Sequence, residues 1–85
     1  MAGGRYINVQ GTVLAITYPP YGARPEVLVN VQVGGTLLSL VFQSRISLDA
    51  LAVGQPVRVK GNVVIVDGAP TIYNPEYEIL GRAHV

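Results

Sequence analysis

The chain has 85 residues, enough for one domain (residues 1–85, core about 6–80), and a domain this small buries only about 60% of the surface its unfolded chain exposes. Six basic and five acidic residues leave a net charge of +1. That is too small a basic excess for a dedicated duplex-DNA binder, and the longest apolar runs fall far short of the ~20 residues of a membrane span. Cysteine is absent, which excludes disulfides and thiolate metal sites and suits a reducing, cytoplasmic location. The N-terminus runs straight into a strand-like segment, so no signal peptide is expected.

Val, Ile, Leu, Thr and Tyr recur in short runs punctuated by Gly and Pro, the pattern of an all-β chain. The first run is YINVQGTVLAITY, 6–18. Ile7, Val9, Gly11, Val13 and Ala15 share one parity, and then Leu14 and Ile16 bring apolar residues onto the other. That switch predicts a bulge, and Gly11 suits a strand that must bend sharply. PPYGARP, 19–25, is a loop. EVLVNVQV, 26–33, alternates cleanly: Val27, Val29, Val31 and Val33 face in, and Leu28, Asn30 and Gln32 face out. Gly34-Gly35 turns the chain into TLLSLVFQS, 36–44. There Leu38, Leu40 and Phe42 face in, while Leu37, Ser39, Val41 and Gln43 face out.

ISLDALAVGQP, 46–56, is the one helical candidate. Ser47 can cap it, Leu48, Leu51 and Ala52 lie on one face, and Gly54 ends it before Pro56. VRVKGNVVIV, 57–66, is the fourth strand, with Arg58, Lys60, Asn62, Val64 and Val66 facing out. Asp67-Gly68 turns it into the fifth, about 71–80, where Pro75 predicts an edge or a break. The expected fold is therefore all-β with one short helix: a five-stranded Greek-key OB barrel, the helix lying between strands three and four. The glycine-bent first strand can pair in both halves of a closed barrel. An SH3-like barrel is the alternative; the helix after the third strand favours OB.

Three segments in order, GTVLAI at 11–16, LAVGQPVRVKGNV at 51–63 and YNPEYEIL at 73–80, cover much of the chain. They resemble the nucleic-acid-binding OB domains of the bacterial branch-migration helicase RecG and the wider tRNA-anticodon-like OB class. A G-x-V opens the first strand, L-x-x-G-x-x-V-x-V-x-G-x-V spans the fourth, and a P-E-Y segment closes the barrel. The chain departs from that class in having Gly34-Gly35 where a DGTG turn is common, and it carries no helicase domain. The resemblance implies non-catalytic binding of single-stranded DNA or RNA.

Catalysis has little to stand on. The one histidine, His84, is next to the last residue, and Ser39, Ser44 and Ser47 have no His/Asp partner in a recognised motif. No metal-ligand spacing occurs and no cofactor is expected. Glu76 and Glu78 share a solvent-facing parity; two carboxylates alone define no mechanism.

For a single strand, the candidate contacts are Tyr18, Tyr21 and Arg24 on the first loop, Asn30, Gln32 and Arg45 on or beside strands two and three, Arg58 and Lys60 on strand four, and Tyr73 on the last. Tyrosines supply stacking, cations meet phosphates, and amides reach base edges. The competing expectation is an assembly module. Leu28, Leu37, Val41, Val64 and Val66 have outward parity on a chain that is 49% apolar and 13% charged, so burying them in a homo-oligomer or against a protein partner is the plain remedy.

Overall fold

Alternation of valines decides which way each strand faces, and strand pairing then closes them round a common interior. In a computed structural model, which describes residues 5–43 and 51–81, six strands form: β1 (Arg5–Thr17), β2 (Glu26–Val33), β3 (Thr36–Gln43), β4 (Pro56–Val66), β5 (Ala69–Tyr73) and β6 (Glu76–Ile79). β1 pairs with β4 through residues 5–12 and with β2 through residues 12–17, all antiparallel. β2 pairs with β3, β3 runs parallel to β5, and β5 pairs antiparallel with β4. Five strands thus follow one another in a ring, β1–β2–β3–β5–β4 and back to β1. β6 extends the closing segment along the first half of β4.

The change of partner within β1 explains its sequence. The register with β2 slips between Val13 and Ala15, which leaves Leu14 as the extra residue of a bulge, 46% exposed. Gly11 sits at the bend. A Cβ there would run into the carbonyl oxygen of Gln32 and stand 2.7 Å from Val31 Cγ1, so only glycine lets β1 cross β2 this closely.

The interior is built from the expected parity. Val13, Val27, Val29, Val31, Leu40, Val57, Val59 and Ile72 are each no more than 2% exposed. At one end Phe42 and Tyr77 meet edge to face, with ring centroids 5.5 Å apart at 81°, a favoured aromatic geometry. Leu51 is buried in the same cluster.

Two sequence expectations are corrected. Of the helix expected over 46–56, residues 46–50, including Ser47 and Leu48, lie outside the described residues, and no helix occurs among the described ones. Residues 51–55 instead make a turn, with Gly54 at φ +91° and the Gln55 N–H donating to Ala52 O at 3.1 Å. The Val13 N–H donates to Gln55 O at 3.0 Å, and the Gly54 N–H donates to Val13 O at 2.7 Å. The backbone groups freed where β1 changes partner are satisfied by this turn, as buried backbone groups must be. The second correction is Val41. Its parity is outward, yet it is only 7% exposed, because it is flanked in register by Leu28 on β2 and Tyr73 on β5.

The closing segment breaks where Pro75 predicts. Asn74 adopts φ +52°, a left-handed conformation that asparagine tolerates better than most residues. Its N–H donates to Val41 O at 2.7 Å. Its Oδ1 accepts from the Gln43 N–H at 2.8 Å, and its Nδ2 donates to Gln43 Oε1 at 3.0 Å. Asn74 therefore ties the kink to the end of β3, and the chain leaves β3 to run along β4 as β6.

Candidate functional site

Residues in register share a face of a sheet, so the pairing fixes which outward side chains are neighbours. One row across the ring is Thr17, Leu28, Val41 and Tyr73. The next is Ala15, Asn30, Ser39, Thr71 and Val64. Asn30 Nδ2 donates to Ser39 Oγ at 3.3 Å, and Thr71 Oγ1 donates to Ala69 O at 3.0 Å. Tyr73 lies 44% exposed beside Val41. Along these rows Leu28 and Tyr73 are exposed, Asn30 and Ser39 are half-buried, and Val41 and Thr71 are buried between their neighbours.

The first row runs into the loop between β1 and β2. That loop turns through an Ala23 N–H to Pro20 O bond of 3.0 Å, with Gly22 at φ +83°. It encloses a hollow of about 320 Å³ lined by Tyr18, Pro20, Ala23, Arg24, Glu26 and Leu28 among others. Tyr21, at the loop tip, is fully exposed. Tyr18, Arg24, Leu28, Val41 and Tyr73 are thus strung along one continuous strip. Gln32 is a neighbour of Leu37 on the same face, its Nε2 donating to Gly34 O at 3.4 Å. Glu26, a carboxylate in the Arg24 hollow, was not singled out from sequence; it sits on the first residue of β2, where only the folded loop reveals its neighbour.

Arg58 and Lys60 stand elsewhere. They face outward on the first half of β4, in register with Gln10 and Asn8 on one side and with Glu78 and Glu76 on the other. Arg58 Nη2 donates to Gln10 Oε1 at 3.1 Å, and its Nε lies 4.0 Å from Glu78 Oε1. Lys60 and Arg58 are four and six residues from Val64 along β4, roughly 13 and 20 Å at the rise of a strand. The structure therefore gathers Tyr18, Arg24, Asn30 and Tyr73 on one side and leaves Arg58 and Lys60 on another. Arg45 lies outside the described residues.

Of the residues expected to form an interface, Leu28, Leu37, Val64 and Val66 are exposed by 36–49%. Val66 pairs with Ala69 beside the Asp67-Gly68 hairpin. A second hollow, of about 560 Å³, opens at the far end of β2, where Ile7, Val33, Leu38, Val63 and Ile65 point inward and Arg5 also contributes to the lining. Parity alone assigns Ile65 to the core, yet it is 67% exposed, because the ring is not filled at that end. Among the described residues no three His, Cys, Asp or Glu side chains are grouped to hold a metal ion, and no helix is long and apolar enough to cross a membrane. No protein-family model matches the chain, and no curated protein matches it in sequence.

Proposed function

We propose that the chain is a Greek-key OB barrel that binds single-stranded DNA or RNA in the cytoplasm, without catalysis. The ring order β1–β2–β3–β5–β4, with β1 shared between β4 and β2 and a parallel β3–β5 contact, supports the barrel reading. A five-stranded Greek-key barrel is the OB architecture, and a ring of five strands suits it. The observation that carries the binding reading is the strip from the β1–β2 loop through Leu28 and Val41 to Tyr73. OB barrels use the outer face of strands two and three and the loops flanking it. On this face Tyr73 offers a stacking ring, Tyr18 and Tyr21 offer two more on the loop, and Asn30 and Ser39 lie between them.

The test is fluorescence anisotropy with labelled oligothymidine and oligouridine at about 20 mM salt, where even a weakly cationic surface retains measurable affinity. Binding of either is expected. Tyr73→Ala should weaken it by about 1–3 kcal/mol, the worth of one stacked base. Absence of binding by both oligomers, or an unchanged affinity in a folded Tyr73→Ala protein, removes the proposal. A second reading, an oligomeric assembly module without nucleic acid, rests on Leu28, Leu37, Val64 and Val66 lying exposed on the same outward face. It takes the lead if no oligomer binds and light scattering reports a homo-oligomer.

A further inference from the structure

The candidate binding strip carries almost no charge, and the other described cations stand on other parts of the ring. Among the described residues the cations are Arg5, Arg24, Arg58 and Lys60. Arg5 borders the hollow at the far end of β2. Arg58 contacts Gln10 and Glu78, and Lys60 is in register with Glu76. Among the described residues only Arg24 adjoins the strip, and Glu26 lines the same hollow.

A phosphate laid on Leu28 or beside Tyr73 would lose water with no cation among the described residues to replace it, which is prohibitive for a full charge. A base laid there loses little, because its faces are apolar and Tyr73 can stack on it. Building on the reading of this face as a single-strand site, we infer that single strands bind with bases against the face and phosphates toward solvent. Their affinity is then nearly independent of salt and of backbone charge. That sets this chain apart from the strong salt dependence that is the norm for single-strand binders. Asn74 uses both its amide oxygen and its NH₂ on Gln43, and Asn30, after donating to Ser39, keeps one N–H and its Oδ1 for at most one base-edge contact, so stacking on Tyr73 is the main contact.

The experiment compares phosphodiester oligothymidine with the same sequence carrying uncharged methylphosphonate linkages. Both are titrated by anisotropy across a salt series on the wild-type chain. The slope of log K against log salt should be no steeper than about −0.7, equivalent to the one phosphate that Arg24 can meet. At about 0.1 M salt the uncharged oligomer should bind within about fivefold of the charged one, since at most one phosphate term is missing. Arg24→Gln should flatten the slope; Arg58→Gln and Lys60→Gln should leave it unchanged. Tyr73→Ala should weaken both oligomers by the same factor, which ties both to the strip. A steeper slope, a larger loss with methylphosphonate, or a slope that falls with Arg58→Gln or Lys60→Gln overturns the inference while leaving single-strand binding intact. Failure of both oligomers at about 20 mM salt instead removes the binding reading itself, and this inference with it.

Discussion

The ring closes where β5 packs over Gly61 of β4, and a methyl group placed there tests that closure. A Cβ at Gly61 would stand 2.6 Å from Ile72 Cγ2 and 3.6 Å from both Cα and Cβ of Pro75. Ordinary carbon contacts lie at about 3.5–4.0 Å, so Ile72 would have to yield by about 1 Å. It has little room, being 1% exposed. Overpacking of this kind costs about 1–3 kcal/mol, while replacing a strand glycine with alanine returns about 0.5–1 kcal/mol. Gly61→Ala should therefore destabilise by about 1–2 kcal/mol net.

Ile72→Ala removes the obstructing Cγ2 and should itself cost about 2–5 kcal/mol. In that background the Gly61→Ala effect should change sign and stabilise by about 0.5–1 kcal/mol. The coupling, about 2 kcal/mol, falls within the range for residues in contact. Urea unfolding followed by far-ultraviolet circular dichroism measures all four proteins, with an excluded osmolyte added equally to hold the folded baseline of the weakest. If Gly61→Ala is harmless in the wild type, or the two effects simply add, the packing of β5 on Gly61 is not as described. The consequence reaches the candidate site, because Ile72 and Tyr73 are adjacent residues on opposite faces of β5, and displacing one displaces the other.

Three further outcomes follow from the same geometry. Gly11→Ala meets the backbone of Gln32 rather than a side-chain end, so it should cost at least about 2 kcal/mol; a loss in urea unfolding below half of that would mean β1 does not cross β2 there. Asn74→Ala should cost about 2–3 kcal/mol, from two side-chain hydrogen bonds at about 1 kcal/mol each and a left-handed backbone at about 1 more. Asn74→Gly should cost less, and an equal loss for both would show that the backbone conformation contributes nothing. Glu78→Gln should change stability by less than about 0.5 kcal/mol, since the Arg58 contact is long and largely in water; a larger, salt-sensitive loss in the urea midpoint would refute that.

Much of the ring was legible because strand parity is written directly in side-chain type. Val27, Val29 and Val31 could face only one way, the apolar residues on both parities at 13–16 marked the bulge, and Pro75 marked the break in the closing segment. What stayed hidden depended on register between distant strands. Nothing local in VRVK or PEYE says that Arg58 will stand opposite Glu78 and Lys60 opposite Glu76, so the two cations read as free phosphate contacts. Val41 read as exposed because parity fixes a direction and not what stands on either side. Over 51–56 the spacing of Leu51 and Ala52 was compatible with a helix. The turn forms instead around Val13, some forty residues away, whose N–H and C=O both bond to it. Asn74 carried a weak signal, an asparagine before proline, but its role as the tie to Gln43 needs β3 in place.

The two readings of the outward face exclude one another at the residues they share, and that makes them separable in one experiment. A partner subunit that buries Leu28 also covers the rows next to it, and Tyr73 stands in register with Val41, which stands in register with Leu28. A homo-oligomer assembled on this face therefore removes the stacking ring from solvent, and a bound strand removes Leu28 from the partner. By mass action each ligand of one state lowers the population of the other. If both occur, the apparent affinity for oligothymidine should fall as protein concentration rises through the dimer range, and saturating oligomer should shift light scattering toward the monomer mass. Leu37→Asp, on the same face yet outside the Leu28–Val41–Tyr73 row, should weaken assembly and thereby raise apparent affinity at high protein concentration. If oligomeric mass persists with saturating oligonucleotide bound, assembly uses a different surface, and the apolar strip belongs to the nucleic acid alone.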